Sequence, residues 1–334
     1  MIAMSALGYF RTRPPGRSFF LRSWMQGAFL RREPLERSAV EVAPGSSGSW
    51  KQITQYAGML RRPVWSKSRS QSCSPQHDPK IGLALLAALV PFVFSPACAD
   101  EDAIHSIVLS NAEHTLWHEA GHALISEFQL PVIGQEEDAV DHFATLSMLA
   151  EEDAARLERL LDVAELWLIS HEVAQAEGEE PIYYGEHDLD AQRGLQVLCF
   201  VAGEGPGRAH ELTAEWGLPE ERAETCEYDY GLALDGWDTL LESVARPEDA
   251  RPARVKVSYG DSDSPWREVL QKAELLEYVA AYMAASFDFE DGMRFEAVDC
   301  DEANAFWDPE ARTVTLCYEL LEDFEDLARI AVEG

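Results

Sequence analysis

The chain has 334 residues, of which 26% are charged, and a formal net charge of −33. Such an excess of acid disfavours binding to nucleic acids and to anionic lipid surfaces, because those partners are negatively charged themselves. The charge is unevenly distributed: residues 1–80 carry 13 Lys and Arg against 4 Asp and Glu, whereas residues 81–334 carry 14 against 56. The basic first part and the acidic remainder are therefore different kinds of segment.

Residues 1–79 show no sustained hydrophobic period and contain Pro14-Pro15 and the Gly- and Ser-rich stretch 45–49. This composition predicts a disordered segment, or an extension that results from a translation start placed too far upstream. The alternative is a genuine basic extension that precedes an uncleaved anchor.

Residues 80–99 begin with Lys80, continue as the apolar run Ile81 to Phe94, and end in Ala97-Cys98-Ala99. A basic flank, a short apolar core and small residues predict a secretory signal peptide that is cleaved after Ala99. The apolar run is shorter than the roughly 20 residues that cross a membrane. We therefore expect the mature domain, residues 100–334, to be periplasmic or secreted without a stable membrane span.

The strongest motif of the mature domain is His118-Glu119-Ala120-Gly121-His122, inside the apolar-periodic stretch 104–128. On a helix, residues four apart lie on one face, so His118 and His122 can reach one metal ion. Zinc suits such a site because it accepts nitrogen and oxygen ligands in a tetrahedral shell. Glu119 lies beside the histidines and is placed to accept a proton from an attacking water, as a general base.

The third ligand is expected in the segment that follows. The first helix must end near Leu130-Pro131, Gly134 eases the reversal, and a second helix begins about Glu136. Its first turn returns toward the histidines, so Glu137 is predicted to bind zinc and Asp141 to accept the second ring N–H of a liganding histidine. A solvated acidic helix start is the alternative interpretation. The fallback ligands are Glu136, Asp138 and His142.

The helix that carries HExxH, followed by Glu137-x-x-x-Asp141, resembles the arrangement of the gluzincin metallopeptidases, although the gap from His122 to Glu137 is shorter than in thermolysin. The chain resembles more closely a family of exported bacterial proteins assigned as metallopeptidases, a domain of unknown function. The matching stretches are residues 116–124, 130–141, Gln192-Arg193 and 304–309, with Cys199, Cys226, Cys300 and Cys317. The resemblance extends from about Ile104 to Ala328 and implies a fold and a metal, but no substrate.

Further along the chain, apolar spacing predicts helices at 154–173, 189–202, 269–286 and 323–330. Residues 246–265, rich in Pro, Gly, Asp and Ser, are predicted to form an exposed connection. Alternation predicts two strands, at 293–298 and 314–318, with a turn between them at 307–311. The fold class is therefore a mainly helical α+β, zincin-like domain with a small antiparallel sheet near the C-terminus, where an extended substrate could add as a strand.

A loop near residues 183–188 precedes the helix at 189–202, and loop residues at a helix start can enter a cleft. Hydrolysis of an amide generates an oxyanion that a hydrogen-bond donor can stabilise. The candidate donors are Tyr183, Tyr184, His187 and Arg193. His187 is the favoured catalytic donor. The alternative is that the tyrosines pack, His187 faces water and Arg193 pairs with a carboxylate.

Four cysteines remain after the predicted cleavage site, and an even number in an oxidising compartment favours disulfide bonds. Three pairings are open. Cys199 with Cys226 and Cys300 with Cys317 are favoured because each pair brackets one locally closed segment. A structural zinc site is the alternative, although no C-x-x-C spacing supports it.

Together these patterns predict zinc-dependent hydrolysis of a peptide or protein substrate outside the cytoplasm. The alternatives are an exported module that binds zinc or protein without turnover, and a metal-dependent amidase that uses the same residues. An intact Glu119 disfavours the first alternative, since a site without turnover has no need of a general base.

Overall fold

The computed structural model describes residues 40–42, 96–151, 153–205, 207–247 and 250–333, with side chains from residue 101 onward. The predicted disordered segment 1–79, apart from residues 40–42, lies outside the described residues, as does the predicted signal peptide up to residue 95. Residues 96–99 form the first turn of a helix that continues through the predicted cleavage point.

Helices make up most of the described chain. They are α1 (Pro96–Phe128), α2 (Glu136–Ala150), α3 (Arg156–Glu177), α4 (Asp190–Glu204), α5 (Arg208–Glu215), α6 (Glu220–Ala223), α7 (Cys226–Glu242), α8 (Trp266–Ala273), α9 (Leu275–Ser286) and α10 (Tyr318–Glu333). None of the described helices has an apolar stretch long enough to cross a membrane.

The strands form one sheet. They are β1 (Val40–Val42), β2 (Val255–Tyr259), β3 (Met293–Val298), β4 (Ala305–Asp308) and β5 (Thr313–Cys317), in the order β1-β2-β3-β5-β4. β4 is therefore an edge strand. This mainly helical α+β architecture confirms the predicted fold class.

The sheet is mixed, whereas the sequence pattern predicts an antiparallel one. β1, β2, β3 and β5 run parallel, and only the β4–β5 pair among the described strands is antiparallel. The physical reason is β4 itself, which lies between β3 and β5 in the chain but pairs on the far side of β5. The chain thus reverses twice before β5, which leaves β5 parallel to β3.

Two further elements differ from the prediction. β2 lies in the segment predicted to be an exposed connection, and its Val255 and Val257 are buried while Lys256 is exposed. The predicted helix 269–286 is divided into α8 and α9 at Glu274, whose φ is +54°. No glycine or proline marks this break. The last helix also begins earlier than predicted, directly after β5.

The 33-residue helix α1 lies at the centre of the fold and packs against α2, α3, α9, α10 and the β4–β5 hairpin. Its side chains are buried around most of its circumference, as expected for a helix that is covered on all sides. The fully buried Trp117 contacts the rings of Phe143, Tyr278 and Tyr282, with centroids 4.9–6.1 Å away. The HExxH residues follow directly, so the core fixes their orientation.

Disulfide bonds join Cys199 to Cys226 and Cys300 to Cys317. These are the pairs that the sequence favours, and they use all four of the thiols from which the alternative zinc site would be built. The first ties α4 to the start of α7. The second closes the segment that contains β4 and β5, and so restrains the edge strand that lies against α1.

Candidate metal centre

The site forms where the first turn of α2 crosses the HExxH segment of α1. The crossing is close at Gly121, since a Cβ atom there would lie 2.9 Å from Val140 Cγ1 and 3.1 Å from Phe143 Cδ1. A larger residue at position 121 would therefore push α2 away. Gly134, with φ +115°, lies in the short reversal between the two helices. The acidic first turn of α2 returns beside the histidines, as predicted.

Three donor atoms converge at this crossing. His118 Nε2 lies 3.2 Å from His122 Nε2, and Glu137 Oε2 lies 3.1 Å and 3.3 Å from these two nitrogens. A tetrahedral zinc ion with bonds of about 2.0–2.1 Å has ligands about 3.3 Å apart. The mutual distances therefore match three corners of a zinc site.

The other nitrogen of each histidine faces a carboxylate. His118 Nδ1 lies 2.7 Å from Asp141 Oδ1, and His122 Nδ1 lies 2.8 Å from Glu136 Oε1. A neutral imidazole that donates from Nδ1 has its lone pair on Nε2. Two lone pairs and a carboxylate oxygen then point at one space, an arrangement that a divalent cation satisfies. The donor set thus fits zinc.

Protonation is the competing way to satisfy these atoms. Burial lowers the pKa of His118, but hydrogen bonds to Asp141 and Glu137 outweigh it and raise the pKa to about 9. The pKa of His122 is also raised, because hydrogen bonds to Glu137 and Glu136 outweigh the effect of burial. A metal must displace these protons, so its apparent affinity rises with pH.

Asp141 is also held by Arg193, which donates from Nε to Oδ2 at 2.7 Å and from Nη2 to Oδ1, the oxygen that faces His118, at 2.8 Å. The guanidinium lies 3.7 Å from the centroid of the Trp167 ring, a cation–π contact. Burial raises the pKa of Asp141, but Arg193 and His118 hold it well below its usual range. Arg193 is therefore the partner of a carboxylate, as in the alternative interpretation of the sequence, and is placed to support His118.

Glu119 is buried beside the histidines, with its Oε1 3.9 Å from His118 Nε2. Burial raises the pKa of its carboxyl group, while the charges of His118 and His122 oppose the rise. The backbone N–H of Trp307 faces this carboxylate and also opposes the rise in its pKa. Alternate residues of an edge strand direct their backbone groups away from the partner strand, and Trp307 directs its N–H at Glu119.

The turn after β4 is fixed to the same helix. Arg312 pairs with Glu127 near the end of α1 at 2.6 Å and donates to Gly292 O at 2.9 Å. Together with the contact of Trp307, this ion pair holds the β4–β5 hairpin beside the HExxH segment. The sequence does not reveal this role of Trp307, because a backbone donor leaves no signature in the side-chain pattern.

His187 reaches the site from the loop between α3 and α4. Its Nε2 lies 2.9 Å from Glu137 Oε2, and its ring stacks 6.1 Å from that of His118. Half of its side chain is exposed, so the imidazole borders both the donor cluster and solvent. Tyr183 and Tyr184 are 81% and 90% exposed and make no hydrogen bond to the described site residues.

The fallback ligands take other places. Glu136 contacts the outer nitrogen of His122 rather than the donor cluster. His142 packs on the ring of Phe200 with centroids 4.8 Å apart, and burial lowers its pKa. Asp138 lies near Asp188, and its pKa is raised by burial and by that neighbouring charge. The pairing of Glu136 with His122 is detectable in principle, because Glu136 directly precedes Glu137 in the first turn of α2.

A comparison with protein families matches residues 91–241 and 258–332 to the family described as "Putative metallopeptidase". No curated protein and no solved structure shows a significant match to the chain.

Proposed function

The chain belongs to this metallopeptidase family, and we propose from that premise that it is an exported peptidase that uses one zinc ion to hydrolyse peptide bonds. His118, His122 and Glu137 would hold the metal. The observation that carries the proposal is the convergence of these three donor atoms within 3.3 Å of one another, beside the buried carboxylate of Glu119.

Zinc, when bound, supplies Lewis acidity that polarises the substrate carbonyl and makes a water more acidic. Glu119 accepts a proton from the attacking water, whose oxygen bonds to the carbonyl carbon. The same carboxyl group then gives the proton to the amide nitrogen as the C–N bond breaks. The products are a carboxylic acid and an amine, and Glu119 returns to its starting state.

Asp141 orients His118 and fixes which ring nitrogen carries the proton. His187 is the proposed donor to the oxyanion, because it is the candidate among those predicted whose side chain contacts the donor cluster. The N–H of Trp307 orients the carboxylate of Glu119. The outer edge of β4 is the place where an extended substrate would add as a strand, since β4 ends the sheet beside Glu119.

The proposed location outside the cytoplasm is supported by the two disulfide bonds, which persist in oxidising compartments. The substrate is proposed to be a peptide or protein, as the family description indicates.

The test uses two substitutions with different roles. Glu119→Gln removes the proton acceptor but no ligand, so activity on a mixed peptide library should collapse while about one zinc per chain remains. Glu137→Ala removes a ligand and should lose both zinc and activity. Glu172→Ala, on an exposed position of α3, is the matched control and should keep both.

Two outcomes would overturn the proposal. If the wild-type protein binds zinc and hydrolyses no peptide, a binding module without turnover replaces the peptidase. If it hydrolyses small non-peptide amides but no peptide, the metal-dependent amidase does. Full zinc retention by Glu137→Ala would show that the third ligand is misassigned.

A further inference from the structure

The loop between α3 and α4, residues 179–188, is fixed at both ends. Gly178 ends α3 in the left-handed conformation, with φ +79°. At the other end, the side chain of Gln192 accepts a hydrogen bond from Leu189 N at 3.2 Å. Ser170 Oγ donates to Asp190 at 2.7 Å and so joins the two helices below the loop. Both ends of this ten-residue connection are therefore fixed by contacts with α3 and α4.

The same loop is also attached to the donor cluster, through the contact of His187 Nε2 with Glu137 Oε2. Residues between its attachment points therefore lie close in sequence to the half-exposed His187, where the site opens to solvent. Three consecutive ones, Ile182, Tyr183 and Tyr184, are 57%, 81% and 90% exposed. Large apolar side chains that remain exposed in a group mark a surface that contacts another molecule.

The charge around this opening is negative. Glu186 and Asp188 are exposed on the loop, and Asp188 lies near Asp138 at the start of α2. Glu136 is half exposed on the same turn. Arg193, the nearby cation, is already bound to Asp141 through both hydrogen bonds. A surface that combines aromatic rings with carboxylates complements a chain that carries both apolar and cationic side chains.

We propose that the loop 179–188 selects the substrate, and that the protein preferentially cleaves cationic peptides that carry bulky apolar side chains. The proposal rests on the proposed peptidase function. Ile182, Tyr183 and Tyr184 would pack against apolar side chains of the substrate. The carboxylates of Glu186 and Asp188 would attract its Lys and Arg residues.

The experiment compares three peptides of equal length on the zinc-loaded protein: one with Lys and Phe, one with Glu in place of each Lys, and one with Ser in place of each Phe. We expect kcat/KM for the first to exceed that for the second by about 10-fold or more, and to fall as salt is added. The third should also be cleaved more slowly than the first.

Variants of the loop then test which of its side chains produce this preference for cationic, apolar peptides. Tyr183→Ser with Tyr184→Ser should lower kcat/KM for the Lys- and Phe-containing peptide by about 10-fold, in the range that loss of aromatic packing produces, and leave zinc content unchanged. The matched control is Tyr228→Ser with Leu232→Ser, which removes two exposed apolar side chains from α7. Glu186→Lys should reduce the preference for the cationic peptide, whereas Glu221→Lys on α6 should not.

The outcomes separate the two proposals. If all three peptides are hydrolysed equally, or if the tyrosine pair and its control have equal effects, the selective loop is refuted while the peptidase function stands. If no peptide is hydrolysed although zinc is bound, the peptidase function fails and the inference fails with it.

Discussion

Arg193 holds Asp141 through two parallel hydrogen bonds of 2.7 Å and 2.8 Å, and the Asp141 oxygen that accepts the second also lies 2.7 Å from His118 Nδ1. Asp141 thus links a permanent cation to a proposed zinc ligand. A carboxylate in this position needs both partners, because a buried charge that loses one of them is costly. The orientation of His118 therefore depends on a residue that does not contact the donor cluster.

The first prediction follows from this chain of contacts. Asp141→Asn should weaken zinc binding by about 10- to 100-fold, the range typical of groups that orient metal ligands. Arg193→Ala should weaken it in the same direction, and Arg193→Lys should have a smaller effect because it keeps the charge but loses the paired geometry. Competition with a chelator measures the affinity.

Arg251→Ala, at an exposed position, is the control for the loss of one arginine. It should bind zinc as the wild type does. Wild-type affinity in Arg193→Ala would show that Asp141 keeps its position without the guanidinium, and would remove Arg193 from the account of the site.

The second prediction concerns the close approach at Gly121. Gly121→Ala places a methyl group 2.9–3.1 Å from Val140 and Phe143, so α2 must shift. Because Glu137 lies one turn before Val140, we expect zinc affinity to fall together with stability. Adding Val140→Ala removes the nearest atom, Val140 Cγ1 at 2.9 Å, and should restore part of both. A double variant no better than Gly121→Ala would argue against this steric cause. Zinc titration and thermal unfolding measure the two effects.

The third prediction distinguishes the two disulfide bonds. Replacing either pair of cysteines with alanine should lower the free energy of unfolding by about 3 kcal/mol, according to the chain-entropy estimate. Loss of Cys300–Cys317 should in addition lower kcat under conditions where both variants are folded, because that bond closes the segment that holds Trp307 against Glu119. Equal kcat values in the two variants would contradict this role of the hairpin.

The sequence was most informative where one short pattern determines geometry. HExxH on a helix places two imidazoles on one face, and the reversal at 129–135 returns an acidic turn to them. Distances of 3.1–3.3 Å among the three donor atoms agree with that expectation. The disulfide pairs were likewise favoured by local closure, since each joins segments that are close in sequence.

The sequence was least informative where partners are distant in the chain. Strand direction could not be predicted, because the side-chain alternation of β3 and β5 is the same whether they run parallel or antiparallel. The strand β2 could not be predicted, because prolines precede it and a glycine and acidic residues follow it, a composition typical of loops. The break at Glu274 has no glycine or proline to mark it, and the contact of Trp307 with Glu119 depends on the backbone alone.

The fourth prediction concerns Glu277, a buried carboxyl group on α9 that is remote from the proposed ligands in sequence. Burial, together with the nearby charge of Glu274, raises its pKa to about 7 against the effect of a hydrogen bond from Tyr259 Oη at 2.6 Å. In the unfolded chain the pKa is near 4.5. The folded state therefore holds the proton more tightly than the unfolded state does.

Stability from this group is fully present below pH 4.5 and is lost as the pH rises through 7. The loss is on the order of 3 kcal/mol for a buried group with such a change in pKa. Glu277→Gln cannot ionise, so the free energy of unfolding of the wild type minus that of the variant should decrease between pH 5 and pH 8. Urea unfolding of the zinc-free proteins at each pH measures this difference, and subtraction removes the contributions of the histidines. A difference that stays constant over this range would show that Glu277 titrates normally in the folded protein.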